Sequence, residues 1–269
     1  MTTDKNAIVV KSNKLIEAGY KLDLVEQRII LAAIVEARES NKALGDGFIT
    51  LNAKSFSVMF NMDEHSVYNQ LKVSLDTLFN RFVVIRDIHP ESGHERVNKI
   101  RWISSASYID GSGSIQFQFS PSMIPYISRL ESEFTKYRLE KIGKMTSAHA
   151  IRLYELLIQY VSYGSREIEI NWLRKILLLE NEYSAIKDFK KRVLDVAVTQ
   201  INSYSDIIVN YDQKKIGKTI SHFIFDIKLK NDEKQIIKKN EKIITREYIE
   251  KNAYPGESYD DAYERLSKK

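Results

Sequence analysis

Cysteine is absent from the 269 residues. That excludes a disulfide, a thiolate zinc site and a cysteine nucleophile, and it agrees with a reducing cytosol. No apolar run approaches the roughly 20 residues a membrane-spanning helix needs. The polar start Met1-Thr2-Thr3-Asp4-Lys5-Asn6 lacks the apolar core of a signal peptide. A cytoplasmic chain with no membrane partner is therefore expected. The phosphate-cradling pattern G-x-x-x-x-G-K-S/T is missing, and Gly111-Ser112-Gly113 and Gly143-Lys144 are fragments only. Fifteen tyrosines invite a DNA-nicking reading with Tyr as nucleophile. Rolling-circle enzymes of that kind need a closely spaced histidine pair for a metal. The five histidines, His65, His89, His94, His149 and His222, contain no His-x-His. His89, Glu91, His94 and Glu95 cluster in a Pro/Gly loop, with no second ligand set at metal-site spacing. The expectation is a non-enzymatic protein with no catalytic residue, no metal and no cofactor.

What is present is a modest basic excess and a repeat. The net charge is +5, and the last 39 residues are charge-balanced, so the excess lies in residues 1–230. Such an excess suits a polyanionic partner. The repeat reads Ile49-Thr50-Leu51-Asn52, an apolar stretch, then Glu64-His65-Ser66 through Leu71-Lys72. In the second half it reads Ile168-Glu169-Ile170-Asn171, an apolar stretch, then Glu182-Tyr183-Ser184 through Phe189-Lys190, at a nearly constant offset. The copies run on into Phe82–Arg86 and Ile207–Tyr211, both strand-like. A strand, two helices and a hairpin is the order of a winged helix-turn-helix, and two in tandem would grip a duplex at two places. The fold class expected is α+β, two tandem winged-helix domains related by internal duplication.

Local signals fill in the elements. Residues 7–13 read as an extended arm. Asp23 and Glu26 form a capping box before a helix from Leu24 to about Glu39, with Ile29, Ile30, Ala33, Ile34 and Ala37 at helical spacing. Gly45–Gly47 reads as a turn, Phe48–Leu51 as a strand and Ala53–Phe60 as a helix. Asp63 caps a helix to about Asn80 that buries Val67, Leu71, Leu75 and Leu78. Phe82–Asp87 and Arg101–Ile109 read as strands about a polar loop. Ile115, Phe117 and Phe119 alternate as in a strand. The charged segment 131–144 reads as the domain junction. A helix capped at Thr146 or Ser147 carries Ile151, Tyr154, Leu157, Ile158 and Val161 inward and ends at Gly164. Trp172–Leu179 reads as the first helix of the second helix-turn-helix. Asn181 is expected to cap a second helix, with Ile186, Phe189, Val193, Val196, Ala197 and Ile201 on one face. A hairpin, Ile207–Tyr211 and Ile220–Ile227, has its tip at 212–218. The segment from Asn231 reads as a tail, partly helical before Pro255-Gly256.

Ser184, Lys187, Lys191 and Arg192 point away from the apolar face of the 183–201 helix, and Lys190 sits on its flank. Arg and Lys at the front of a recognition helix can bond guanine O6 and N7. The bland reading of this face is a solvated charge run. Lys214, Lys215 and Lys218 at the hairpin tip suit phosphate contact with little sequence information, or else form a solubilising turn. In the first copy Asn69, Gln70, Lys72 and Arg81 are the corresponding exposed positions. They are less basic and suit weaker DNA contacts or a protein interface.

Four separated blocks, in order, resemble the plasmid replication initiators of the Rep_3 (RepB-type) family. They are Val9–Arg28; Arg152-Leu153-Tyr154-Glu155-Leu156-Leu157; Phe189-Lys190-Lys191-Arg192-Val193-Leu194-Asp195 on to Ile201-Asn202; and Tyr211 to Gly217-Lys218-Thr219-Ile220 with Phe223 and Phe225. The resemblance covers about residues 7–230. It implies a C-terminal winged helix that reads directly repeated origin sites (iterons) in the major groove. It implies an N-terminal one that makes secondary DNA contacts and a dimer interface. Lys190, Lys191 and Arg192 match the family's basic cluster, and Lys214, Lys215 and Lys218 match its wing. The division expected is 1–131, 132–230 and a tail 231–269. Partners implied are double-stranded origin and operator DNA, the host initiator protein, the replicative helicase, and a second copy in monomer–dimer equilibrium. Monomers would open the origin and dimers would repress the promoter. A repressor without initiator activity is the alternative.

Overall fold

The computed structural model describes residues 7–39, 47–109, 111–128, 132–230 and 265. By packing, the chain divides into two units, Met1–Ile227 and Lys228–Lys269. Both winged helices lie in the first. Of the second, only 228–230 and Arg265 are described, so the expected tail structure lies outside the described residues, as do Gly45 and Asp46 of the expected turn.

The arm is strand β1 (Ile8–Ser12), followed by a single turn, α1 (Asn13–Ile16), capped by the Ser12 hydroxyl. Helix α2 (Leu24–Glu39) starts on the expected capping box: the Asp23 N–H donates to Glu26 Oε2 at 2.6 Å and the Glu26 N–H to Asp23 Oδ1 at 2.8 Å. Ile29 to Val35 are all buried, so α2 is packed on every side rather than along one stripe. Strand β2 (Ile49–Asn52) leads into α3 (Ala53–Phe60), with Asn52 Oδ1 accepting from the Lys54 and Ser55 N–H groups. Helix α4 (Glu64–Leu78), capped by Asp63, buries Val67, Leu71, Leu75 and Leu78 completely. Each such side chain contributes about 1.5–3 kcal/mol.

After α4 the observed chain departs from the expectation. Strands β3 (Phe82–Ile88) and β4 (Glu95–Arg101) form a two-stranded hairpin of their own, and β5 (Ile103–Ile109) and β6 (Ser114–Phe119) follow. The first three-stranded sheet has order β2-β6-β5. The wing of the first domain is therefore β5–β6, and β3–β4 is an insertion. Phe82–Arg86 is not the counterpart of Ile207–Tyr211; Ile103–Ile109 is. Both segments are strand-like, and only the pairing distinguishes them.

A 3-10 turn (Pro121–Met123) and the short α5 (Ile124–Ile127) precede β7 (Phe134–Arg138) and α6 (Glu140–Gly143). The expected junction is thus ordered structure, because β7 is the antiparallel partner of β1, from Ile8↔Arg138 to Ser12↔Phe134. Helix α7 (Ala148–Ile158) is capped by Ser147, and β8 (Ser165–Glu169) follows the left-handed Gly164. The first helix of the second motif is α8 (Ile170–Ile176), two residues earlier than expected. The second is α9 (Ile186–Phe189), a π turn (Lys190–Leu194) and α10 (Asp195–Tyr204) in continuous succession. Strands β9 (Ile207–Ile216) and β10 (Thr219–Leu229) complete a sheet of order β8-β10-β9, the same order as in the first domain.

A buried charge network joins arm, loop and α7. Glu155 Oε1 accepts from Lys11 Nζ at 2.7 Å and from the Tyr137 hydroxyl at 2.5 Å. The Arg152 guanidinium donates to the Ala18 carbonyl at 2.9 Å and to the Tyr20 hydroxyl, and it lies 3.6 Å from the centre of the Tyr20 ring. Lys11, Tyr20, Tyr137, Arg152 and Glu155 are all buried. Burial pushes the Glu155 carboxyl up, but Lys11 and Arg152 outweigh it and hold the group below its ordinary range. Arg28 adds a second tie, donating to the Met145 carbonyl at 3.0 Å. The boundary expected at 131/132 is spanned by the Lys11–Glu155, Arg152–Tyr20, Arg152–Ala18 and Arg28–Met145 contacts.

Candidate nucleic-acid interface

The expected site residues of the second domain fall into two groups. Lys187, Lys191 and Arg192 are exposed on α9 and the π turn, and none has a hydrogen-bond or ion-pair partner among the described residues. Lys215, exposed on β9, and Lys218, at the hairpin turn, are likewise unpaired among the described residues. The other two wing-facing lysines are held. Lys190 Nζ donates to Gln213 Oε1 at 3.2 Å and lies 5.6 Å from the Tyr211 ring, so it clips the helix to the wing strand. Lys214 Nζ donates to Glu167 Oε1 at 2.8 Å across the sheet, with His222 Nε2 3.8 Å from the same oxygen. The Lys214 ammonium holds the Glu167 carboxyl below its ordinary range.

The wing differs from the expected tip at 212–218. Its strands run to Ile216 and from Thr219, leaving Gly217 and Lys218 as the turn. Gly217 has φ 62°, which favours glycine at the first central position of a tight hairpin. Lys214 and Lys215 are therefore strand residues, and Lys218 alone is at the tip.

Three helix expectations are corrected. Asn181 caps nothing: the helix begins five residues later, with Ala185 at the N-cap and no side-chain cap bond. Ser184, exposed, lies in the turn before the helix and not on it. Val196, expected inward, is 39% exposed, and Leu194 is buried instead at 1%. The π turn explains this, since it takes in one extra residue and rotates everything after it by about 100° relative to a regular wheel. That rotation keeps Phe189, Val193, Ala197 and Ile201 on one buried face at four-residue spacing.

Two clamps fix the helix to the wing. The Tyr211 hydroxyl donates to Asp195 Oδ1 at 2.5 Å; burial and then this carboxylate push the phenol above its ordinary range. Asn202 donates to the Val209 carbonyl at 2.8 Å and accepts from its N–H at 2.7 Å, completing the edge of β9.

A residue the sequence reading passed over organises the turn. Arg174, on α8 and 9% exposed, donates through Nη1 to the Glu182 carbonyl at 2.7 Å and through Nη2 to the Tyr183 carbonyl at 2.6 Å. Its guanidinium carbon is 4.5 Å from the centre of the Phe189 ring. A signal was present: Arg174 is a charge among Leu173, Ile176 and Leu177, all buried.

In the first domain Asn69 is exposed on α4. Lys72 is half-buried, with Nζ 4.2 Å from the Tyr108 ring of the wing strand β5. Gln70 donates to the Ser66 hydroxyl at 2.9 Å. Arg81 is not a free helix residue, since its Nε donates to the buried Glu26 at 2.8 Å. The wing turn there holds Gly111 and Gly113 and no cation. The loop carrying His89 and His94 is an ordinary reversal, with the His89 N–H donating to the His94 carbonyl at 2.8 Å. Among the described residues no three His, Asp or Glu side chains gather as a metal site, and no helix is long and apolar enough to cross a membrane.

Comparison with known proteins places this geometry. The family model described as "Initiator Replication protein, WH1" matches residues 8–158, and "Initiator Rep protein, WH2" matches residues 169–227. An Escherichia coli "Uncharacterized 27.6 kDa protein" is 26% identical over 234 residues, 83% of this chain and 95% of the relative. An Escherichia coli "Replication initiation protein" is 25% identical over 229 residues, 82% of this chain and 70% of the relative. The solved "Pi initiator protein in complex with iteron DNA" has a TM-score of 0.64 at 20% identity, covering 85% of this chain and 100% of that one. At that identity the likeness is one of fold: two winged helices in tandem.

Proposed function

The chain belongs to the initiator replication protein family, and from that premise we propose that it is a plasmid replication initiator that binds directly repeated origin sequences. The observation that carries this reading is the exposed edge Lys187, Lys191 and Arg192 on a helix whose opposite face is buried, beside a wing presenting Lys215 and Lys218. The helix edge reads bases and the wing meets phosphates. Lys190 and Lys214 contribute once released from Gln213 and Glu167, and Ser184 contacts the backbone from the turn. Asn69 and Lys72 supply weaker contacts from the first domain.

In the finer reading the monomer binds the repeats, helps open the adjacent duplex and recruits the host initiator and helicase. The dimer, joined through residues 1–131, represses the promoter. Residues 132–230 carry the sequence specificity. The protein would then work in the cytoplasm, on DNA and without a cofactor of its own.

A mobility-shift titration against the repeats of its own replicon, at two salt concentrations, tests the core of the proposal. Binding is expected to be tighter to the repeats than to a scrambled duplex, with an affinity that falls as salt rises. Equal binding to both would refute it. Permanganate footprinting of the origin then separates initiator from pure repressor, because a repressor leaves the thymines unreactive.

A further inference from the structure

We propose that Arg174 is the positioning residue of the recognition helix: its guanidinium sets the angle at which Lys187, Lys191 and Arg192 are presented. The inference rests on the reading that this helix edge meets DNA. Among the described residues no side-chain cap fixes the start of that helix. Its N-cap is Ala185, with no side-chain bond, and residues 181–185 form no regular element. Two non-glycine residues of the turn, Leu178 at φ 51° and Tyr183 at φ 52°, are in the left-handed region, which the surroundings must hold.

Arg174 does the holding. Two prongs of one planar fork meet two successive carbonyls, Glu182 and Tyr183, in a fixed geometry that a rotatable, point-like ammonium does not impose. The carbon of the same group lies over the ring of Phe189, the first fully buried residue of the helix. Phe189 in turn stacks on Phe223 of β10, with centres 6.3 Å apart and planes 18° from parallel. One side chain of α8 thus grips the turn, the helix and, through Phe189, the wing sheet. Loss of the fork leaves the apolar face buried but lets the outer edge swing.

The test uses the full-length chain and a random-sequence duplex pool, from which the wild type selects its preferred duplex. Arg174→Lys keeps the charge and loses the fork. It is expected to bind the selected duplex about tenfold or more weakly, the size of one lost base contact. Its affinity for the unselected pool should stay within about twofold, with the same salt slope, since the phosphate contacts remain. A merely structural role would lower both affinities in step. That outcome, an Arg174→Lys chain that fails to fold, or undiminished specific binding overturns the proposal. A wild type that selects no sequence sinks the underlying reading of the helix edge instead, and the two failures are thereby distinguishable.

Discussion

At the scale of single residues, the unpaired cations divide by where they sit. Lys191 stands on the outer edge of the recognition helix, and Lys215 stands on a wing strand. Lys191→Ala is expected to weaken binding to the cognate repeat by about 1–3 kcal/mol while leaving non-specific binding nearly unchanged. Lys215→Ala should weaken all sequences alike and flatten the salt slope by about one. Fluorescence anisotropy over a salt series, with cognate and scrambled duplexes, checks both; exchanged behaviour would reverse the assignments. Glu155 offers a test inside the molecule. Glu155→Gln strands Lys11 and Arg152 without a counter-charge and should cost about 3–5 kcal/mol. In urea melts, Lys11→Met/Glu155→Gln together should cost less than the sum of the two single changes, because the pair is coupled. The pH dependence has a definite sign. The unfolded carboxyl takes its proton near 4.5 and the folded one only at lower pH, so its contribution is whole above about 4.5 and drains away below it. The wild type should therefore lose stability on acidification more steeply than the double variant. The cations of the helix were legible from the sequence because amphipathic spacing alone exposes them. The role of Glu155 was not, since burial of its charge depends on a partner 144 residues away, and Arg174 stood out as a charge among buried apolar neighbours without announcing the carbonyls it meets.

Among the elements, the π turn has the clearest consequence. With it, Val196 faces water and Leu194 faces the core; without it, the two would trade roles. Val196→Lys is therefore expected to change stability by no more than about 0.5 kcal/mol. Leu194→Ala should cost about 2–5 kcal/mol. Urea midpoints for the two variants decide the register, and a large loss at Val196 would mean a regular helix. Most elements could be read from local chemistry. The Asp23/Glu26 box, the Asp63 cap and the Ile115, Phe117, Phe119 alternation mark their own boundaries. The failures come from pairing and packing that no local pattern encodes. β4 holds only two apolar residues, Val97 and Ile100, three apart, and so shows no alternation, yet it is a strand because β3 needs a partner. The helix start at Ile186, five residues past the expected Asn181, follows from a grip by Arg174 that the local sequence does not announce. The repeat aligned Asn52 with Asn171, but Asn52 is a cap and Asn171 lies within α8.

For the molecule as a whole, the two winged helices are stitched rather than strung. Between the segments matched by the two family models, the Tyr20 N–H donates to the Ile176 carbonyl at 3.2 Å, the Tyr154 hydroxyl to Asp206 Oδ1 at 3.0 Å and the Thr146 N–H to Gln200 Oε1 at 2.8 Å. The chain has two tryptophans, Trp102 in the first winged helix and Trp172 in the second. In the variants Trp102→Phe and Trp172→Phe the remaining indole reports one domain at a time. Both are expected to give a single urea transition, and each should match the far-ultraviolet dichroism of the same variant. Fluorescence and dichroism midpoints that separate in either variant would show domains that melt independently. The arm carries one more consequence. A polypeptide emerges from the ribosome N-terminus first. Residues 8–12 leave well before their partner strand Phe134–Arg138 and before the carboxylate facing Lys11, at position 155. During synthesis the first winged helix must wait, open along one edge and with an unmatched ammonium, until residue 155 has emerged. A message cut short before that point yields a product that cannot close and is left exposed to proteolysis.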